Sequence, residues 1–227
     1  MQLIGMLDSP YVRRVAISLQ LLGLPFTHRS VSVFRAFEEF QRINPVVKAP
    51  TLVCDDGEVL MDSALILEYA EALAAPRKSL MPSGPSARQH ALRCIGLALA
   101  ACEKSVQIIY ERNLRPAEKQ HQPWLDRVRG QLLAALAALE AEALRQPFAA
   151  ETATIDQSGI TCAVTWDFTH RMLAEIADAA RYPALRAFSE GAEGLDAFAA
   201  APFGATTMTM SASAPAEPAG AQSQASA

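Results

Sequence analysis

The sequence predicts an α/β layer domain followed by an all-α helical bundle. Three observations carry this. The first eighty residues switch repeatedly between strand-like and helical periods. Residues 76–86, PRKSLMPSGPS, are rich in Pro, Ser and Gly and read as a linker. Everything after them has purely helical spacing until a low-complexity end.

The elements follow in order. Residues 2–7 read as a short strand. From Pro10 to Leu22 the residues Val12, Val15, Ala16, Leu19 and Leu22 share one helical face. Ser9 stands at the N-cap and Pro10 at the first helical position, where a missing N–H costs nothing. Gly23 and Pro25 close this helix. Residues 26–33 are β-like, and residues 36–43 form a short helical piece with Phe37, Phe40 and Ile43. Residues 51–54 and 58–61, joined by Asp55-Asp56-Gly57, read as a β-hairpin. Asp62 and Ser63 start another helix over 64–73. The order β-α-β-α-β-β-α is that of an α/β layer. Beyond the linker, long helices are expected over 87–112 and 124–144, and further ones from near Gly159 and near Pro183, packed as a bundle. Residues 1–78, 79–86 and 87–205 are therefore the first domain, the linker and the second domain. Residues 206–227, rich in Ala, Ser, Pro, Gly and Gln, cannot bury enough apolar surface to offset ordering and are expected to be a disordered tail.

Composition narrows the function. The chain has 227 residues, just over half of them hydrophobic, and a net charge of −4 with no basic block. This argues against nucleic acid and anionic membranes as partners. No apolar stretch reaches the length of a membrane span, and the N-terminus lacks a signal-peptide pattern. Cys54, Cys94, Cys102 and Cys162 have neither Cys-x-x-Cys spacing nor a neighbouring His cluster. They read as reduced, mostly buried thiols in a cytoplasmic protein, with no metal site. Cys54, on a strand, is expected in the core.

If the first domain is a thioredoxin-like sheet, three features meet at one edge: Ser9-Pro10 at the first helix, Ala49-Pro50 before a strand, and Asp62-Ser63 at the third helix. Each has a plain reading. Ser9 and Asp62-Ser63 are adequate helix starts, and Lys48 is an ordinary surface lysine. Arg13 and Arg14 read as a solvated helix face or as a brace at the domain interface.

The strings SPYVRRV, NPVVKAPTL and DSALILEYAE, in this order and spacing and followed by SLMP and a helical half, closely resemble the glutathione transferase family over residues 1–205. The resemblance implies the glutathione transferase fold, a homodimer, glutathione as co-substrate and no metal. It implies that Ser9 activates the glutathione thiol. It further implies that Ala49, before a cis Pro50, pairs its backbone with the cysteinyl part of glutathione. Lys48 would meet the glycyl carboxylate, Ser63 the γ-glutamyl carboxylate and Asp62 the γ-glutamyl ammonium. Tyr11, Tyr110 and Trp166 are candidates for the wall of an electrophile pocket between the halves, against the alternative of core packing. The family's Ser-x-x-Asp capping box is expected at Ser158-Gly159-Ile160-Thr161, with Thr in place of Asp.

The chemistry fits these residue types. A free thiol has a pKa of about 8.5, so only a few per cent is thiolate at neutral pH. A hydroxyl donating to sulfur and the positive end of a helix dipole both favour the thiolate. Lowering the pKa by two units takes about 2.7 kcal/mol, within reach of those two effects together. Redox relatives of this fold carry Cys-x-x-Cys where this chain has Ser9-Pro10-Tyr11-Val12, so thiol–disulfide exchange is disfavoured. The leading expectation is conjugation of glutathione to a hydrophobic electrophile. A glutathione-dependent peroxidase or isomerase on the same site, and a non-catalytic interaction protein of the same fold, are the alternatives.

Overall fold

A computed structural model describes residues 1–206; the expected tail lies almost wholly outside the described residues. The chain runs β1 (Gln2–Ile4), α1 (Pro10–Leu21), β2 (Thr27–Arg29), α2 (Phe37–Ile43), β3 (Thr51–Val53), β4 (Val59–Met61) and α3 (Ser63–Ala74). Then follow α4 (Pro85–Leu114), α5 (Gln122–Arg145), α6 (Gln157–Met172), α7 (Pro183–Glu193) and a short α8 (Asp196–Ala199) that the periodicity did not anticipate.

The strands form one mixed sheet in the order β2-β1-β3-β4. β1 runs parallel to β2 and antiparallel to β3, and β3 pairs with β4 as a hairpin. This is the expected thioredoxin-like layer, with shorter strands than the apolar runs. The helix α1 starts and stops as its sequence dictates. Ser9 accepts a hydrogen bond from the Val12 N–H, and Pro10 opens the first turn. Gly23, at φ +71°, takes the left-handed position past the end and lets the Gly23 and Leu24 N–H groups cap the Gln20 and Leu19 carbonyls.

The predicted apolar face of α1 is buried, but so is nearly everything else on this helix, including Arg13, Arg14 and Ile17. A helix buried all round lies between two layers. Here α1 packs on the sheet and α3 on one side and on α6 on the other, and one continuous core joins residues of both halves. The solvated-face reading of Arg13 and Arg14 is therefore corrected, and their place is the interface between the halves.

One further correction concerns the helical half. The cap of α6 is Asp156, whose Oδ1 accepts from the Gly159 N–H at 2.9 Å and from the Ser158 hydroxyl at 2.6 Å. Ser158 and Thr161 are buried inside the helix, and the Thr161 hydroxyl donates to the Gln157 carbonyl. The expected Ser158–Thr161 box is thus two residues out of register, because Asp156 is the residue in extended backbone. The linker is also less loose than its composition implies. Leu80 is buried; its N–H donates to Glu71 and its carbonyl accepts from the Gln157 N–H at 2.8 Å.

Candidate active site

Two adjoining cavities open between the halves, sharing Tyr11, Lys48 and Ala49 in their walls. The first, about 580 Å³, is reached by Ser9 and is mainly apolar. The second, about 540 Å³, is lined by Pro50, Asp62, Ser63 and Glu103. The three features expected at one edge of the sheet are thus brought together.

Ser9 Oγ accepts from the Val12 N–H at a long 3.4 Å and has no other partner among the described residues. Its O–H proton is therefore free to point into the cavity. Opposite, the segment 44–51 is held by Asn44, a buried residue. The Asn44 Nδ2 donates to Thr51 Oγ1 at 2.9 Å, Asn44 Oδ1 accepts from the Val46 N–H, and Thr51 Oγ1 donates to the Lys48 carbonyl. The Ala49-Pro50 bond is cis. The Ala49 N–H and C=O carry no backbone hydrogen bond among the described residues, so both remain available to a ligand.

Asp62 caps α3 by accepting from the Ala64 N–H at 2.9 Å, from a backbone at φ +74°. For a residue with a Cβ that conformation costs about 1–3 kcal/mol and is typical of functional sites. Burial alone would raise its carboxyl. The Ala64 N–H, the Lys48 hydrogen bond and the charges of Lys48 and Arg14 outweigh it and hold the carboxyl below its ordinary value. Lys48 Nζ reaches Asp62 Oδ2 at 3.4 Å with both side chains about half exposed, a weak pair that a ligand can open. Ser63 is buried, and its Oγ accepts from Arg14 Nη1 at 3.0 Å.

Tyr11 stands where the cavities meet. Burial, followed by the nearby Cys102 and Glu103, raises its phenol well above the usual range, so it is a neutral donor at physiological pH. Tyr110 lines the first cavity and meets Phe34 edge-on at 5.5 Å, joining the loop after β2 to α4. Trp166 does not belong to the wall. It is buried, stacked on His170 and edge-on to Tyr182. Phe168 and Met172 of the same helix face the cavity instead. Two residues correspond to about 200° of helix, which turns Trp166 to the opposite side.

Phe203, beyond α8, completes the wall under Arg171, whose guanidinium lies 5.4 Å from its ring centre. The sequence reading missed Phe34, Phe168, Met172 and Phe203. The i, i+4 spacing of Phe168 and Met172 was a signal, while nothing local marked Phe203. All four cysteines are buried and free. Burial raises Cys94 and Cys102 to about 11 and also raises Cys54 and Cys162, so none supplies a thiolate at neutral pH. Among the described residues no cluster of His, Cys, Asp or Glu could hold a metal ion, and no helix is long and apolar enough to cross a membrane.

The fold is thus a thioredoxin-like layer whose helix N-termini and cis-proline loop face a helical bundle. Residues 3–78 match the glutathione S-transferase N-terminal domain. The chain is 29% identical to the uncharacterized GST-like protein YibF of Escherichia coli K12 over 72% of this chain and 80% of that one. It is 30% identical to a maleylacetoacetate isomerase of Pseudomonas aeruginosa over 54% of this chain and 61% of that one. A glutathione transferase family member from Pseudomonas fluorescens Pf-5, solved with bound glutathione, superposes with a TM-score of 0.76 at 29% identity, covering 88% of this chain and 97% of the other. Residues 3–78 are thus a glutathione S-transferase N-terminal domain, and the chain as a whole is similar to glutathione transferases in sequence and fold.

Proposed function

We propose that this protein is a serine-type glutathione S-transferase that activates the glutathione thiol for attack on a hydrophobic electrophile. The observation that carries this reading is Ser9. Its Oγ sits at the N-cap of α1, its O–H proton is uncommitted, and it opens on a mainly apolar cavity. A sulfur placed beside Ser9 receives the hydroxyl proton as a hydrogen bond and lies at the positive end of the α1 dipole. Both lower the thiol pKa. The free Ala49 N–H and C=O pair with the cysteinyl backbone of glutathione. Lys48 meets the glycyl carboxylate, Asp62 the γ-glutamyl ammonium, and Ser63 with the first N–H groups of α3 the γ-glutamyl carboxylate. The thiolate attacks the electrophile held against Phe168, Met172, Tyr110 and Phe203, and the leaving group or a solvent proton balances the charge. Bound glutathione in the Pseudomonas fluorescens relative supports the ligand. Exposed Leu65 and Leu73 on α3 and Met61 on β4 support a homodimer, and four reduced thiols support a cytoplasmic setting.

A second reading, isomerisation through a transient glutathione adduct, uses the same site and is supported by the similarity to maleylacetoacetate isomerase. Ser9→Ala separates activation from binding. Conjugation of a chlorodinitrobenzene-type electrophile is expected to fall by about 10–100-fold in kcat/KM while the glutathione Kd moves less than about threefold. Unchanged conjugation would remove Ser9 from its assigned role. No calorimetric binding of glutathione at millimolar ligand would remove both readings.

A further inference from the structure

Arg13 and Arg14 are adjacent, both almost fully buried, and oppositely provided for. The Arg13 guanidinium meets two carboxylates, Asp167 at 3.1 Å and Glu193 at 2.7 Å, and its Nε donates to the Ala201 carbonyl. Arg14, 3% exposed, forms no salt bridge among the described residues. Its Nη1 donates to Ser63 Oγ at 3.0 Å, and its buried Nε has no partner among the described residues. Burial lowers its pKa to about 10, which still leaves it charged at neutral pH. Asp62 is near enough to be felt, but its two oxygens already serve the Ala64 N–H and Lys48. An isolated buried cation is costly unless something compensates it.

Arg14 stands one hydrogen bond behind the second cavity, which it does not itself line. Ser63 lines that cavity and receives the Arg14 N–H on its oxygen, and its own O–H proton has no acceptor among the described residues, so it is free to turn to a ligand there. Behind the hydroxyl stands a full positive charge held out of water, where it is weakly screened. We infer that Arg14 is a positioning residue acting through Ser63. It orients the Ser63 hydroxyl and gives this end of the site its preference for a carboxylate over a neutral group. The inference rests on the glutathione reading above and adds the residue that makes the γ-glutamyl carboxylate the discriminating feature of the ligand.

The test is calorimetry on the full chain with glutathione and with γ-aminobutyryl-cysteinylglycine, which keeps the ammonium and lacks only the α-carboxylate of the γ-glutamyl residue. The wild-type protein is expected to prefer glutathione by about 30-fold or more, and Arg14→Gln to shrink that ratio to about threefold. Arg14→Lys, retaining the charge without the planar fork, should fall between. Conjugation kinetics should show a raised KM for glutathione with kcat changed less than about threefold. A purely structural role would weaken both ligands alike. An unchanged ratio in the variants, with glutathione still bound, overturns the inference alone. If Arg14→Gln does not fold, Arg14→Lys decides: an undiminished ratio overturns the inference, and a reduced ratio with glutathione still bound supports it. A wild-type protein that binds neither ligand at millimolar concentration overturns the glutathione reading itself.

Discussion

Gly5 turns the chain out of β1 at φ +136°, a backbone that residues with a Cβ rarely adopt. A Cβ placed there would meet Val12 Cγ2 at 2.6 Å and the Ala49 Cβ at 3.1 Å. Val12 lies in the first turn of the helix that Ser9 caps, and Ala49 belongs to the cis-proline loop. Gly5 therefore sets the spacing between the two parts of the site. Gly5→Ala is expected to destabilise the protein by about 3 kcal/mol, from backbone strain and overpacking together. It should also weaken glutathione binding, whereas Gly57→Ala, equally strained at φ +92° but with open space around it, should leave binding intact. Urea melts and calorimetry on the pair check this, and equal binding losses in both would refute the spacing role.

At the scale of the element, capping decides both ends of the site. α1 and α3 start at Ser9 and Asp62, and each cap also faces a cavity. Capping and ligand binding are compatible because both use the same geometry: a polar side chain beside unpaired N–H groups. The cap of α6 serves structure alone. Asp156 holds the Gly159 N–H and the Ser158 hydroxyl, and a Cβ on Gly159 would press on Ile155 and Phe188. Asp156→Ala is expected to cost about 1–2 kcal/mol, while Ser158→Ala should cost less, since Ser158 caps nothing. Chemical denaturation distinguishes this from a Ser158-based cap, for which the order would be reversed. Neither change should alter the glutathione Kd of the folded protein.

For the whole molecule, the ion cluster around Arg13 joins α1 to α6, α7 and the segment after α8. Asp167 is shared between Arg13 and Arg171, and Arg171 covers Phe203 at the pocket wall. Arg13→Met leaves Glu193 without its arginine and Asp167 with Arg171 alone. It is expected to cost about 3 kcal/mol, less than a fully buried pair because Glu193 is partly exposed. Because one core spans both halves, urea should shift tryptophan emission and abolish glutathione binding in the same transition in the wild-type protein. In Arg13→Met the transition should move to lower urea. A mutant midpoint unchanged from wild type would show that the cluster adds nothing to the union of the halves.

The order of elements was legible in the chain alone, because period, turn residues and caps are local. Ser9-Pro10, Gly23 and the Asp55-Asp56-Gly57 turn act within a few residues of themselves. A shared edge for Ser9, Ala49-Pro50 and Asp62-Ser63 was legible on the condition that the layer is a thioredoxin-like sheet, since a β-α-β-α-β-β-α chain can place its helix starts at one end of a sheet. Which arginine met carboxylates and which was left without one among the described residues depended on long-range packing. Arg13 and Arg14 are chemically identical neighbours, and a rotation of about 100° along one helix sends them to different partners. The tertiary structure alone also turned Trp166 into the core, gave the pocket wall to Phe168, Met172 and Phe203, and moved the α6 cap to Asp156. Each of these depends on which way a helix faces a distant part of the chain, a contact between residues far apart in sequence that no local pattern encodes.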